Sequence, residues 1–263
     1  MSQTQRDAGG LRGQPADCGD AWLRCYQARP ESQVRLVCFP HAGGTAGFFR
    51  SWPGEFGNTA EVRSVQYPGH EDRIREEAIS DMGQLADLAA AAVAPLMDRP
   101  TALFGHSLGA LVAFEVARRL TNIRPGFLAC LFVSGRAAPV VRCDQEKHLA
   151  DDDALWGELR RLGGTDNSIL DHAGWRSLLL PALRSDYRLD ETYRYRPGPK
   201  LECPVVACVG DTDPETDAAR SAAWASLTSG RFDLRTFPGD HFYLVPRRAE
   251  VTGMVAGYLR RMQ

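Results

Sequence analysis

TALFGHSLGALVAFEVARRL, residues 101–120, carries the strongest structural signal in the chain. A short apolar run, TALF, enters the pentapeptide GHSLG (105–109), and a longer run leaves it. TALF has the length and composition of a buried strand. In LGALVAFEVARRL apolar residues recur at three and four positions, and two arginines close the run. That pattern predicts a helix with cations at its C-terminal end. GHSLG matches G-x-S-x-G. In this spacing the serine sits on a tight strand-to-helix turn that lifts its hydroxyl clear of a sheet. Glycines two residues to either side avoid collision with neighbouring backbone. Ser107 is therefore the candidate nucleophile.

The same alternation continues outward. VRLVCFP (34–40), VRSVQYPG (62–69), LACLFVSG (128–135), PVVACVGD (204–211) and FDLRTFPGD (232–240) are further short apolar runs. They fit strands buried on both faces. MGQLADLAAAAVAPLM (82–97) and AEVTGMVAGYLRRM (249–262) read as helices between or after them. The fold class expected is α/β, a mostly parallel sheet with helices on both faces. One stretch interrupts it. From 139 to 199 no strand is evident, and DDDALWGELRRLGG, DHAGWRSLLLPALRSDY and RLDETYRYRP read as short helices. An insertion of that size is expected to be a helical lid over the carboxyl ends of the strands, where open α/β sheets place ligands. The core is then 20–138 with 200–263. Residues 1–19, polar and glycine-rich, are expected to be a disordered leader.

A serine hydroxyl needs a base, and the base needs an orienting carboxylate. Following an elbow of this kind, the chain order is Ser, then Asp or Glu, then His. PVVACVGDTDPE presents Asp211 and Asp213 after a strand, and FDLRTFPGDHF presents His241 after the last one. His241 is the candidate base. The acid is one of Asp211 and Asp213; Asp240 is a turn residue. Of the six histidines, His106 is expected to pack or hydrogen-bond below the elbow, and His41 to brace the loop that follows it. Two backbone N–H groups must face the oxyanion of a tetrahedral intermediate. Leu108, after the nucleophile, supplies one. The loop Pro40-His41-Ala42-Gly43-Gly44 supplies the other, from Ala42 or alternatively Gly43.

Composition excludes other classes. Lys and Arg number 31 against 33 Asp and Glu, a net charge of −2, which argues against nucleic acid as the partner. No run approaches the ~18 apolar residues of a membrane span. The leader lacks the apolar core of a secretory signal. Seven cysteines without a C-x-x-C pair read as reduced thiols of a cytoplasmic protein, with no metal site and no cofactor.

The motifs FPHAGG (39–44), FFRSW (48–52), YPGHEDR (67–73), FGHSLGALVAFEVARRL (104–120), LPALRSDY (180–187), VGDTDP (209–214) and FPGDHFYL (237–244) resemble the type II thioesterases of polyketide and nonribosomal peptide synthesis. The likeness runs from about residue 30 to the end. It implies an α/β-hydrolase fold with a small helical lid. It implies hydrolysis of acyl thioesters on the phosphopantetheine arm of carrier proteins, the carrier being the macromolecular partner of a monomeric enzyme. Carried over by position, the nucleophile is Ser107, the acid Asp213 and the base His241. The leader before Trp22 is longer than the family needs.

Other readings are an esterase or lipase acting on free oxygen esters, a cyclising thioesterase that releases a finished product, and a non-catalytic binding relative. A chain beginning at Met1 is expected to act apart from a synthase, against the second. The intact Ser107, Asp213 and His241 stand against the third. In the lid, Trp156, Leu159, Leu162, Leu170, Trp175, Leu178, Leu179 and Leu183 line an acyl tunnel or form the lid's own core. Arg184 and Asp186 are expected to pair locally within a helix. Arg188, Arg194, Arg196 and Lys200 are solvated charge or a contact for an acidic carrier.

Overall fold

The computed structural model describes residues 21–142, 145–163, 171 and 173–262. Seven strands form one sheet: β1 (Leu23–Arg24), β2 (Arg35–Phe39), β3 (Glu61–Val65), β4 (Thr101–His106), β5 (Leu128–Ser134), β6 (Val205–Gly210) and β7 (Phe232–Phe237). Their order is β1-β3-β2-β4-β5-β6-β7. All neighbours are parallel except the β1–β3 pair. β4, which leads into Ser107, lies at the centre, with His106 opposite Ser134 of β5. The helices are α1 (Pro53–Phe56), α2 (Met82–Val93), α3 (Leu108–Ile123), α4 (Asp152–Leu162), α5 (Ala173–Thr192), α6 (Ala218–Ala222) and α7 (Arg248–Arg260).

The unbroken apolar strands divide by their two-residue period. Val37, Leu103, Leu131, Val133, Val205 and Ala207 face α2 and α3 in one core. Leu36, Cys38, Phe104, Phe132, Val206 and Cys208 face α1 and α7 in the other. β2 to β6 are therefore covered on both sides, as their composition requires. β7 departs from that expectation. It is an edge strand, and Arg235 and Thr236 are exposed along it. Its FDLRTF pattern is half polar because only one neighbour and one face need to be satisfied. β1 went unread because two residues carry no periodicity. It is held by antiparallel pairing of Leu23 and Arg24 with Val65 and Ser64.

Between β5 and β6 the insertion is helical, as expected, but its partition differs. DHAGWRSLLLPALRSDY and the start of RLDETYRYRP form one helix, α5, of 20 residues with Pro181 inside it. Tyr193 to Lys200 then run without helix or strand. α4 is capped by Asp151, whose side chain accepts the Ala154 N–H at 2.8 Å, and stops before left-handed Gly163. Leu155, Trp156, Leu159, Leu180, Leu183 and Tyr187 bury one another between α4 and α5. The insertion thus has its own small core, while Trp175 and Leu178 are exposed. Leu170 lies outside the described residues, as do the leader (1–19), Cys18 and Cys143. Cys38, Cys130, Cys203 and Cys208 are buried free thiols, and Cys25 is half-buried. Among the described residues no helix is long and apolar enough to cross a membrane.

Candidate active site

Ser107 sits between the end of β4 and the first turn of α3 with φ 54° and ψ −122°. A non-glycine residue in that region is strained and persists only where its surroundings hold it. They do so here. The Ser107 N–H donates to Ser134 O of β5 at 2.8 Å. On either side there is no room for a side chain. A Cβ on Gly105 would lie 2.1 Å from Gly109 O, and one on Gly109 would lie 2.1 Å from Phe39 O. The two glycines are needed for space, since neither has a positive φ. They let α3 lie directly on the ends of β4 and β2.

β6 and β7 deliver the acid and the base. The loops after them are joined by Asp211, whose carboxylate accepts the Gly239 N–H at 2.8 Å. Thr212 N–H also donates to Gly239 O at 3.0 Å. With the loops held, His241 Nδ1 faces both Asp213 carboxylate oxygens at 3.0 Å. Both side chains are almost wholly buried. Asp240 accepts the Phe242 N–H at 2.9 Å, a turn bond two residues on. Ser107 and His241 line one cleft together with Ala42, Leu159, Leu162 and Tyr187. Among the described residues no hydrogen bond joins the Ser107 hydroxyl to His241. Such bonds commonly tighten only with substrate present.

The loop after β2 brings Ala42 to the same cleft. Gly43, with φ 72°, turns the chain there. Its N–H donates to Asp186 Oδ2 at 2.7 Å and is thereby occupied. Among the described residues neither the Ala42 nor the Leu108 N–H has a protein acceptor.

The histidines below and beside the cleft are differentiated by their surroundings. His106 is fully buried. Its Nδ1 pairs with Ser134 Oγ at 2.9 Å, which in turn meets Tyr243 OH at 2.7 Å. His41 lies edge-on between Phe48 and Phe242, each centroid 4.7 Å away. Burial lowers the His41 pKa to about 3, helped by repulsion from His241 and His70. Burial also drives His106 well below the ordinary histidine value. Both are neutral near pH 7. The expected consequence is a steep acid limb of stability. From pH 6.5 downward the unfolded chain takes up protons at His41 and His106 that the folded chain refuses. Each contributes a slope of up to about 1.4 kcal/mol per pH unit. Urea titrations between pH 7 and pH 4.5 should show stability falling with pH. His41→Phe should flatten that fall; an unchanged slope would refute the assignment.

His70 behaves oppositely. Its Nδ1 faces Pro68 O at 2.9 Å and its Nε2 faces Asp186 Oδ2 at 2.9 Å. A carbonyl and a carboxylate both accept, so both ring nitrogens donate and the imidazole carries charge. Burial opposes that charge, but Asp186 outweighs it and the pKa is raised. Its contribution is complete below pH 6.5 and fades as pH rises through the raised value.

Asp186 does not pair with Arg184 as the local spacing suggested. Arg184 donates instead to His148 O, Ala150 O and Asp152 at 2.6–2.7 Å. Residues two apart on a helix point to different sides. Sequence reading missed the joining of His70 and Asp186; the motifs YPGHEDR and LPALRSDY that contain them were the available signal. At the cleft wall Lys147 bridges Glu158 and Glu215, and Arg136 pairs with Asp190 at 2.7 Å. Arg194, Arg196 and Lys200 line a different groove with Glu115, Arg118 and Arg119. That groove shares no residue with the Ser107 cleft. Arg188 is exposed.

A central parallel sheet, an elbow after its middle strand and a helical insertion after the next define an α/β-hydrolase fold. Within that class the chain belongs to the thioesterase family: the thioesterase domain matches residues 34–258. Thioesterase PikA5 of Streptomyces venezuelae is 45% identical over 242 residues, which are 90% of this chain and 85% of that protein. Gramicidin S biosynthesis protein GrsT of Aneurinibacillus migulanus is 36% identical over 243 residues, 91% of this chain and 94% of that one. The solved type II thioesterase BorB from the borrelidin biosynthetic cluster superposes with a TM-score of 0.84. It is 41% identical and covers 91% of this chain and 98% of its own. The likeness to type II thioesterases read from the motifs is borne out by these relatives.

Proposed function

We propose that the protein is an editing thioesterase that clears acyl groups from the phosphopantetheine arm of carrier proteins serving a polyketide or nonribosomal peptide synthase. The buried Asp213–His241 pair opening onto the cleft that holds the strained Ser107 carries this reading. Ser107 Oγ attacks the thioester carbonyl carbon while His241 Nε2 takes the hydroxyl proton. Asp213 accepts the Nδ1–H and stabilises the imidazolium. The oxyanion is held by the N–H groups of Ala42 and Leu108. The C–S bond breaks, and His241 returns its proton to the departing thiol. Water then attacks the acyl-enzyme, giving its proton to His241, and the carboxylic acid leaves as Ser107 is reprotonated. The core is 20–138 with 200–263, and 139–199 is the lid, whose Leu159, Leu162 and Tyr187 give the cleft an apolar wall.

A thioester is already activated, so selectivity falls to the lid and to the carrier. The test is hydrolysis of one acyl panel presented on a carrier protein, on a pantetheine mimic and as oxygen esters, with Ser107→Ala as control. Ser107-dependent turnover that is fastest on short carrier-bound thioesters is expected. Faster turnover of the oxygen esters would turn the reading to a general esterase.

A further inference from the structure

Asp186 lies 143 residues from Gly43 and 116 from His70 in sequence, yet its single oxygen Oδ2 meets both. It is 3% exposed and sits on α5, the long helix of the insertion. Gly43 follows Ala42, so a bond to the Gly43 N–H fixes the peptide plane between them. The Ala42 N–H belongs to the preceding peptide, between His41 and Ala42, and only the Ala42 φ and ψ separate the two planes, so holding the Gly43 N–H restrains its direction through that one residue. Packing repeats the connection. A Cβ on Gly43 would lie 2.9 Å from Leu183 Cδ1 and 3.7 Å from Leu159 Cδ1. The insertion therefore rests on this loop through apolar contacts from α4 and α5 and through a partly buried charge-assisted bond. Asp186 is held in turn by His70, whose loop follows β3 and belongs to the core. His70 is anchored by its own bond to Pro68 O.

We propose that Asp186 is a positioning residue through which the lid helix holds the Gly43 peptide and so aims the Ala42 N–H at the oxyanion. This rests on the reading of Ala42 as an oxyanion donor. Asp186 touches neither substrate nor the reacting atoms. Its consequence is that catalytic competence and lid placement are one equilibrium. When α5 lifts, Asp186 leaves Gly43, and the loop loses the acceptor that fixes its glycine turn. A lid docked on the core and an assembled oxyanion hole then occur together. Hydrolysis is thereby tied to the closed lid, without any moving catalytic side chain.

The experiment compares Asp186→Ala and Asp186→Asn with the wild type on an acyl-pantetheine thioester, using purified, folded full-length chain. Removing the acceptor should lower kcat about 10- to 100-fold, below the 10²–10³ cost of losing an oxyanion donor outright. KM should stay within about twofold, because the lost interaction belongs to the transition state. Asp186→Asn keeps an oxygen for the Gly43 N–H and should recover part of the loss. A trifluoromethyl ketone that Ser107 converts to a tetrahedral adduct supplies the second readout. Asp186→Ala should weaken it in proportion to kcat, while an inert thioether of the same chain binds as before. A residue that merely supports the fold would lower the melting temperature and leave these ratios alone.

A folded Asp186→Ala enzyme with wild-type kcat overturns the proposal, as does equal weakening of the ketone and the thioether. If Asp186→Ala fails to fold, Asp186→Leu, which fills the same space without an acceptor, decides. A lower kcat with matching loss of ketone affinity supports the proposal, and an unchanged kcat refutes it. The wild-type assay is run first and reports on the thioesterase reading alone; the variant-to-wild-type ratio reports on Asp186.

Discussion

Ser107→Gly should abolish thioester hydrolysis and at the same time make the protein more stable than Ser107→Ala. The activity loss follows from removing the proposed nucleophile, and about 10³-fold or more is expected from the behaviour of triad enzymes. The stability gain follows from backbone geometry. At φ 54° and ψ −122° any residue with a Cβ carries strain, of order 1–3 kcal/mol. Alanine retains that strain and glycine releases it. Glycine also enlarges the unfolded ensemble, which takes back about 0.4–1 kcal/mol. A net advantage of about 1 kcal/mol over the alanine variant remains. Urea unfolding of the two inactive variants measures it. Equal stability would mean that the elbow is not strained, and the positioning argument for Ser107 would fall with it.

Gly109→Ala, with Gly105→Ala, should be among the most damaging single methyl additions at the described residues. At Gly109 the added Cβ would lie 2.1 Å from Phe39 O, 2.5 Å from Pro40 O and 2.7 Å from Phe39 C. All three are backbone atoms at the end of a central strand, where no side chain can swing aside. Either α3 moves off β2, or the loop leading to Ala42 does. Overpacking a well-filled core typically costs 1–3 kcal/mol, and a backbone obstacle should put this case at about 3 kcal/mol or more. For a domain of this size that lowers the melting temperature by about 6 °C or more. Gly253→Ala is the matched control. Gly253 lies on the exposed side of α7, and a Cβ there meets nothing within 4 Å. It should raise stability by roughly 0.5–1 kcal/mol through helix propensity. If both substitutions have similar effects, close approach is not what the glycine at 109 provides.

These two results separate the kinds of information in the chain. The turn around Ser107 was legible because every cause of it is local: an apolar strand, two glycines for space, and a helix with a three-to-four period. The Ser, Asp, His order and the loops that carry them were legible for the same reason, since each follows a short apolar run ended by turn residues. Asp211 and Asp213 were not separable by spacing. Both follow β6, and only the packing of β6 beside β7 shows that Asp213 faces His241 while Asp211 joins the two loops.

The sequence by itself determined the alternation of strands and helices, the elbow, the helical character of the insertion and the thioesterase family. Periodicity and turn chemistry act within one element, so they can be read from neighbours in the chain. Tertiary structure alone decided that β7 is half exposed, that Pro181 lies within one continuous helix, and that Asp186 leaves Arg184 for His70 and Gly43. Those outcomes depend on which surfaces remain after distant segments pack. A buried carboxylate takes the donors that packing brings within reach, and the identity of its chain neighbours does not specify them.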